Sequence, residues 1–395
     1  MFVELHVIQN FAPSNLNRDD TGAPKDAQFG GYRRARISSQ CLKRAVRTYV
    51  RSHGLVPPDQ LGVRTKRLVD ALVEKLTERG HSPDDARPVI QALLAGANFA
   101  VKDDGKTEYL LFLGEREIAA MAELAATHWE TLRAVTGPAP GDAAPGGRPS
   151  ARASKSAGKN AVPTDVQNAL RALLDGGKAV DLALFGRMLA DLPVANIDAA
   201  CQVAPALSTH PITMEFDYYT AVDDRLPDDT SGADMIGTVG FNSACFYRYA
   251  NLDLRQLTVQ NLGGDVALAE QAVRAFLLAA IRAVPTGKQN SMAAQNPPSF
   301  VLAVVRRDGL WSLANAFARP VRIGREGDVV ADSIVAMDRY WGELVDMYGD
   351  QGILAQAAVG SRSVDLATLG DARVANVPAL VDEVCAAAFP NGALA

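Results

Sequence analysis

The chain has 395 residues, 48% hydrophobic and 22% charged, with a formal net charge of −5. That length supports two or three domains with a sizeable core, and the absence of any apolar run of about 18 residues leaves no candidate membrane span. The opening MFVELHVIQNF carries an acid and a histidine within its apolar stretch and no basic leader, so it reads as a folded strand of a cytoplasmic protein.

Val3, Leu5 and Val7 alternate with Glu4 and His6, the period-two pattern of a strand. A polar loop rich in Asn, Asp, Gly and Pro follows. Ser38-Ser39 then offers an N-cap to a helix with Leu42, Ala45, Val46, Tyr49 and Val50 on its apolar side and Lys43, Arg47 and Arg51 on another. Gly54 and Pro57-Pro58 end it. A mostly helical block comes next: Leu68, Leu72 and Leu76 mark one helix, Ser82-Pro83 opens a second, and Ile118, Ala125, Trp129 and Leu132 mark a third. Residues 136–164, rich in Gly, Pro, Ala and Ser, read as a flexible loop carrying Lys155 and Lys159.

Strand signals return at 180–185 (VDLALF), 244–249 (ACFYRY) and 299–307 (SFVLAVVRR), with a helix over 265–284 between the last two. Together with the first strand and its basic helix, this order is the split βαβ, ferredoxin-like arrangement also used by RNA-recognition modules. The expected class is therefore α+β. Ile334, Met337, Trp341, Leu344 and Tyr348 predict one further helix.

The strongest chemical signal is a window from Ala27 to Pro58 without Asp or Glu, which holds Arg33, Arg34, Arg36, Lys43, Arg44, Arg47 and Arg51 in an otherwise acidic chain. Local concentration of one sign is the footprint of a phosphate-binding face, and a helix N-terminus at Ser38-Ser39-Gln40 adds backbone donors. The alternative is a solvated helix face. The pairs Asp19-Asp20, Asp223-Asp224 and Asp228-Asp229 sit among turn formers and read as turn and capping residues, not magnesium ligands. Tyr218, Tyr219, Tyr247 and Tyr249 could stack on bases, although a strand such as CFYRY is more often core packing. Cys41, Cys201, Cys245 and Cys385 show no CxxC, the histidines no HxH or HxxxH, and the glycine pairs no phosphate-loop context. No metal, cofactor or catalytic residue is expected.

The run SNLNRDD…KDAQFGGYRRARISSQCLKRAVR (residues 14–47) resembles the N-terminal signature of the CasC-type backbone subunit of type I-E CRISPR Cascade. The resemblance continues in order through ALFGRM (183–188), TAVDD (220–224), FYRYANLDL (246–254), NLGG (261–264), VPTGKQN (284–290) and ANAF (314–317). It implies a hand-like protein: a palm of an RNA-recognition-type sheet (1–57, 178–209 and 241–395), helical fingers (58–177) and a thumb hairpin (210–240). Such a protein is not an enzyme. It stacks in several copies on a guide CRISPR RNA, joins the large, small, cap and RNA-processing subunits, and presents bases to target DNA.

Residue by residue, the resemblance casts Arg18 and Lys25 as loop contacts to the RNA backbone, with the neighbouring Arg33, Arg34 and Arg44 in the same basic set. Ser38, Gln40, Lys43 and Arg47 become a phosphate-tracking line, and Met188, after Arg187, an apolar contact beside a displaced base. Thr220 and Val222 resemble thumb positions at the RNA kink, and Lys288 and Gln289 a palm loop near the RNA. Tyr218-Tyr219 stand where the family often shows Trp-Phe. Arg64, Lys66, Arg67, Lys155 and Lys159 are candidate contacts to target DNA. The competing expectation is a metal-dependent ribonuclease on a related CRISPR backbone scaffold.

Overall fold

A computed structural model describes residues 1–136, 162–189, 192–221, 235–322 and 327–394. The chain forms two compact units: Met1–Leu55, Cys201–Arg255 and Ala269–Ala395 make the first, Val56–Ala200 and Gln256–Leu268 the second. Residues 178–200 and 256–268, expected in the palm, thus pack within the second unit.

In chain order, β1 (Phe2–Ser14) is followed by the hairpin β2 (Asp26–Phe29) and β3 (Tyr32–Ile37). Gly30 and Gly31 at its turn both have positive φ, which only glycine adopts without strain. Helix α1 (Ser39–Ser52) starts where expected: the Ser38 hydroxyl accepts from the Cys41 N–H, and Leu42, Val46 and Val50 are buried. The second unit contributes β4 (Gly62–Thr65), α2 (Leu68–Thr77), α3 (Pro83–Gly96), β5 (Leu111–Gly114), α4 (Glu115–Thr127), α5 (Trp129–Thr136), α6 (Thr164–Ala172) and α7 (Val180–Phe185). The expected third helix is two, parted at His128.

The segment 180–185, read as a strand, is helix α7. A short apolar run has no periodicity to separate strand from buried helix, and here Val180 to Leu184 are buried on every side. The Asp181 carboxylate accepts the Gly62 N–H at 2.6 Å.

The first unit resumes with β6 (Cys201–Val203), β7 (Ala206–Ser208), β8 (Glu215–Ala221) and β9 (Met235–Asp253). Helices α8 (Val266–Arg282) and α9 (Gln289–Met292) precede β10 (Phe300–Arg306), and α10 (Val329–Tyr348), β11 (Ile353–Gly360) and α11 (Val377–Ala388) complete the chain. The sheet runs β11-β10-β1-β9-β7-β3-β2, with β6 and β8 also on β9. Strand β1 lies antiparallel between β10 and β9, and β6 and β7 are antiparallel to β9. With α1 and α8 as crossovers, this is the ferredoxin-like order, its second strand supplied by β6 and β7.

Both faces of the central strands are covered. Leu5 and Val7 meet Leu42 and Val46 of α1 and Phe276 and Ala280 of α8. On the other face, Ile8, Tyr247, Tyr249 and Leu302 pack with Ile334, Met337 and Trp341 of α10. Tyr247 and Tyr249 are therefore core residues and offer no stacking platform. Their hydroxyls are satisfied in two separate buried sets: Tyr249 donates to Glu4 at 2.6 Å, while Leu313 N–H donates to the Tyr247 hydroxyl at 2.8 Å and that hydroxyl bonds His6 Nδ1 at 2.9 Å.

Burial, helped by the nearby Arg306 guanidinium, pushes the His6 pKa from 6.5 down to about 3. The unfolded chain takes up this proton below pH 6.5 while the folded one does not. Stability tied to His6 is thus complete above pH 6.5 and drains away as pH falls toward about 3, by about 1.4 kcal/mol per pH unit. His6→Gln should flatten the decline of the urea midpoint between pH 6.5 and 4.5. Parallel profiles for the two proteins would contradict this assignment.

Candidate nucleic-acid interface

The loop between β1 and β2 is built by side chains that bond its own backbone. Asn15 Nδ2 donates to Gly22 O at 3.0 Å and to Gly240 O at 2.9 Å, tying the loop to β9. Asn17 Oδ1 accepts the Ser38 N–H at 2.7 Å and so joins the loop to the start of α1. Asp19 accepts from the Thr21 hydroxyl at 2.8 Å and from the Thr21 and Ala23 N–H groups at 2.9 Å. The Thr21 hydroxyl and these backbone donors hold its carboxyl below the usual carboxylate range. Asp19 is a turn residue.

A second element, the turn after α8, meets this loop backbone to backbone. A Cβ on Gly287 would lie 2.3 Å from Leu16 O, so no larger residue fits that approach. Lys288 follows with φ 49°, a left-handed conformation that costs a non-glycine residue of order 1 kcal/mol and so marks a constrained position. Gln289 Nε2 donates to Pro285 O at 2.9 Å and Ala294 O at 3.1 Å, which closes the turn.

Loop, turn and one side of α1 enclose an open groove of about 680 Å³. Arg18, Asp19 and Asp20 line it from the loop, Arg44, Thr48, Tyr49 and Ser52 from α1, and Pro285, Thr286 and Gly287 from the turn. Lys25 and Arg44 both act on the thiol of Cys41, whose pKa burial raises and these two cations lower. Arg18 and Arg44 can meet phosphates as charged donors, while Thr48, Ser52 and the turn backbone offer neutral ones.

The expected contacts fall into separate groups. Arg18 and Arg44 line the groove, Lys25 acts on Cys41 in its wall, and Lys288 is half-buried on the turn beside it. Exposed Gln40 and half-buried Lys43 and Arg47 lie at successive turns of α1, outside the groove lining, and Lys43 acts on Cys201 of β6. Thr220 is exposed on β8, and Met188 is 83% exposed in the second unit. Val222 lies outside the described residues, as do Lys155, Lys159 and the aspartates at 223, 224, 228 and 229.

Five of the expected contacts have partners within the chain. Arg34 is 0% exposed, its guanidinium donating to Ser208 O at 3.0 Å and Phe317 O at 2.7 Å, so it fastens β3 inside the first unit. Arg187 is buried in an ion pair with Glu117. The Ser38 hydroxyl oxygen accepts as the N-cap, which leaves its proton to donate, and the Gln289 amide nitrogen is used by its own turn. Arg33 is exposed but paired with Asp26, one residue before the acid-free window. Arg34 and Arg187 are thus held inside their own units by partners the sequence did not reveal.

Within the range expected for the thumb, β8 pairs with the first part of β9, in register from Glu215↔Phe241 to Ala221↔Met235. Tyr218 is 74% exposed and Phe216, which the sequence reading passed over, 63%. Both lie on one face by strand alternation. The Tyr219 ring crosses over Gly237, where a Cβ would come within 2.2 Å of it. In the second unit, Arg64, Lys66 and Arg67 are exposed, and the Arg64 guanidinium sits 4.7 Å from the Phe112 ring centre. Among the described residues no helix is long and apolar enough to cross a membrane.

A family model described as "CT1975-like protein" matches residues 3–386. Among solved structures, a chain of a "CRISPR RNA-guided surveillance complex, pre-nicking" is 33% identical, with a TM-score of 0.81 over 98% of this chain and 100% of that one. A chain of a "CRISPR RNA-guided surveillance complex" is 28% identical, with a TM-score of 0.72 over 98% of this chain and 100% of that one. The search of curated proteins returns no match. These similarities run through both units and share the palm-like α+β fold, and the likeness first read from residues 14–47 is borne out. The chain belongs to the CT1975-like family of Cas proteins.

Proposed function

We propose that this chain is a non-catalytic, RNA-binding backbone subunit of a type I-E CRISPR surveillance complex, stacked in several copies along the guide RNA. The observation that carries this reading is the groove, which Arg18 of the loop, Arg44 of α1 and the turn at Pro285–Gly287 line together. Such a site suits a polyanionic strand. Charged donors on two walls fix the phosphates, and neither wall reads a base edge. The central sheet face that an RNA-recognition module would use is filled by Trp341 and its neighbours. RNA is therefore held by loops and helix α1 and not by the sheet.

Lys25, Lys288 and the outer side of α1 with Gln40, Lys43 and Arg47 extend the same electrostatic track. The ribbon of β8 and β9 carries exposed aromatic residues that stack on bases whatever their identity. Further copies of the chain, the other Cascade subunits and target DNA are the partners this role requires. Cleavage is left to another component of the complex.

Binding should be electrostatic and indifferent to sequence. Each single-strand phosphate contact adds about −0.7 to the slope of log K against log salt. Arg18→Ala with Arg44→Ala should flatten that slope by about 1.4 and weaken all RNA sequences alike. Selective loss for some sequences in a filter-binding series would refute the phosphate groove.

Gly287→Ala should push the turn away from Leu16 and lower RNA affinity through the groove's shape, with no charge removed. Its salt slope should stay near wild type while its affinity falls. A wild-type affinity would show that the close backbone approach is dispensable.

Labelled RNA incubated with the purified chain and magnesium should remain intact while native mass spectrometry records several copies per long RNA. Magnesium-dependent cleavage that Asp223→Ala or Asp224→Ala abolishes would replace this reading with the ribonuclease alternative.

A further inference from the structure

Arg248 of β9 is a buried cation. It is 8% exposed and lies on the sheet face that α1 and α8 cover, among Leu42, Val46, Phe276 and Ala280. Among the described residues no carboxylate compensates it, and burial alone pushes its pKa down to about 10. A charge so placed is less stable than a well-packed apolar side chain. What the guanidinium does there is hold two distant backbone segments. Nη2 donates at 2.5 Å to Ala280 O, one of the carbonyls that the end of α8 leaves without an intrahelical partner. Nη1 donates to Gln9 Oε1 at 2.5 Å. Gln9, fully buried on β1, passes the connection on through its Nε2, which donates to Asn296 O at 2.7 Å. Asn296 Oδ1 accepts the Ala12 N–H at 3.2 Å, and the bonds return to β1. Only an amide serves at the middle of this relay, since it must accept from a guanidinium and donate to a carbonyl.

Ala280 and Asn296 are the two ends of one segment. Between them run Ala283 to Gly287, which line the groove, and the short helix α9. Lys288 and Ala293, on either side of α9, both have left-handed backbone, at φ 49° and 47°. Non-glycine residues persist in that region where the surroundings over-determine the conformation, and such strain gathers at functional sites. The segment is thus strained at its middle and pinned at both ends by a buried charge that the core does not need. Both observations sacrifice stability for position.

We propose that Arg248 and Gln9 are positioning residues for the RNA groove, their buried relay fixing both ends of the segment whose Pro285–Gly287 turn lines it. This inference rests on the RNA-binding reading above, and it adds two side chains that touch no RNA.

The test compares the full wild-type chain with Gln9→Glu and Gln9→Met. A glutamate still accepts from Arg248 and supplies a counter-charge, but it has no donor for Asn296 O. Its melting temperature should therefore match or exceed that of wild type. Hydrogen exchange read by mass spectrometry should nevertheless quicken over 283–296 and stay unchanged in β10 and α10. RNA affinity in the filter-binding series should fall by about 2- to 10-fold, the scale of one hydrogen bond, at the wild-type salt slope. Gln9→Met should lose affinity without adding a charge, which traces the effect to the segment, and it decides the matter should Gln9→Glu fail to fold. Either variant combined with Gly287→Ala should lose less than the product of the separate losses, because both changes act through one turn. Wild-type exchange over 283–296, wild-type RNA affinity, or independent losses in the combination would each overturn the inference and leave RNA binding intact. Failure of wild type to bind RNA would overturn the functional reading and the inference together.

Discussion

The closed sheet is the constraint on which the rest of this protein depends. Trp341, Met337 and Ile334 of α10 occupy the face opposite α1 and α8, so the central strands are buried on both sides. A strand buried twice must satisfy its polar side chains internally. Tyr249 does so by donating to Glu4, and Tyr247 by bonding His6 and accepting the Leu313 N–H. What is lost as a binding platform returns as rigidity: loops and hairpins attached to this sheet start from fixed points.

The groove illustrates how such fixed points become a site. Its walls meet through backbone, with Gly287 against Leu16, and through asparagines that bond backbone atoms of distant segments. The charged residues decorate a shape that neutral residues set. On the proposed reading, affinity for RNA depends on charge, and the path of the strand on the shape that Asn15, Asn17 and Gly287 set.

Much of this was legible in the sequence because it is local. The alternation of Val3, Leu5 and Val7, the Ser38 cap and the Ser82-Pro83 helix start are written within a few residues of where they act. The basic window was legible too, but the fate of each arginine was not. Arg34 is consumed by carbonyls of residues 208 and 317, Arg187 by Glu117, and Arg33 by an acid that the fold of a hairpin brings beside it. Charge is local in a sequence, whereas partners are chosen in three dimensions. The segment 180–185 failed for a different reason: six apolar-rich residues are too few to show a period.

Strand β9 has a consequence of its own. Its 19 residues run without a break from the projecting ribbon into the centre of the sheet. Pairing with β1 shifts register between Phe11 and Ser14, where β1 carries one residue more than its partner. Below that bulge, a slip of one residue would send Tyr247 and Tyr249 to the wrong face. Above it, the ribbon pairs with β8 alone. The bulge therefore works as a clutch: the ribbon can lengthen, shorten or change its twist over evolutionary time without turning the core inside out.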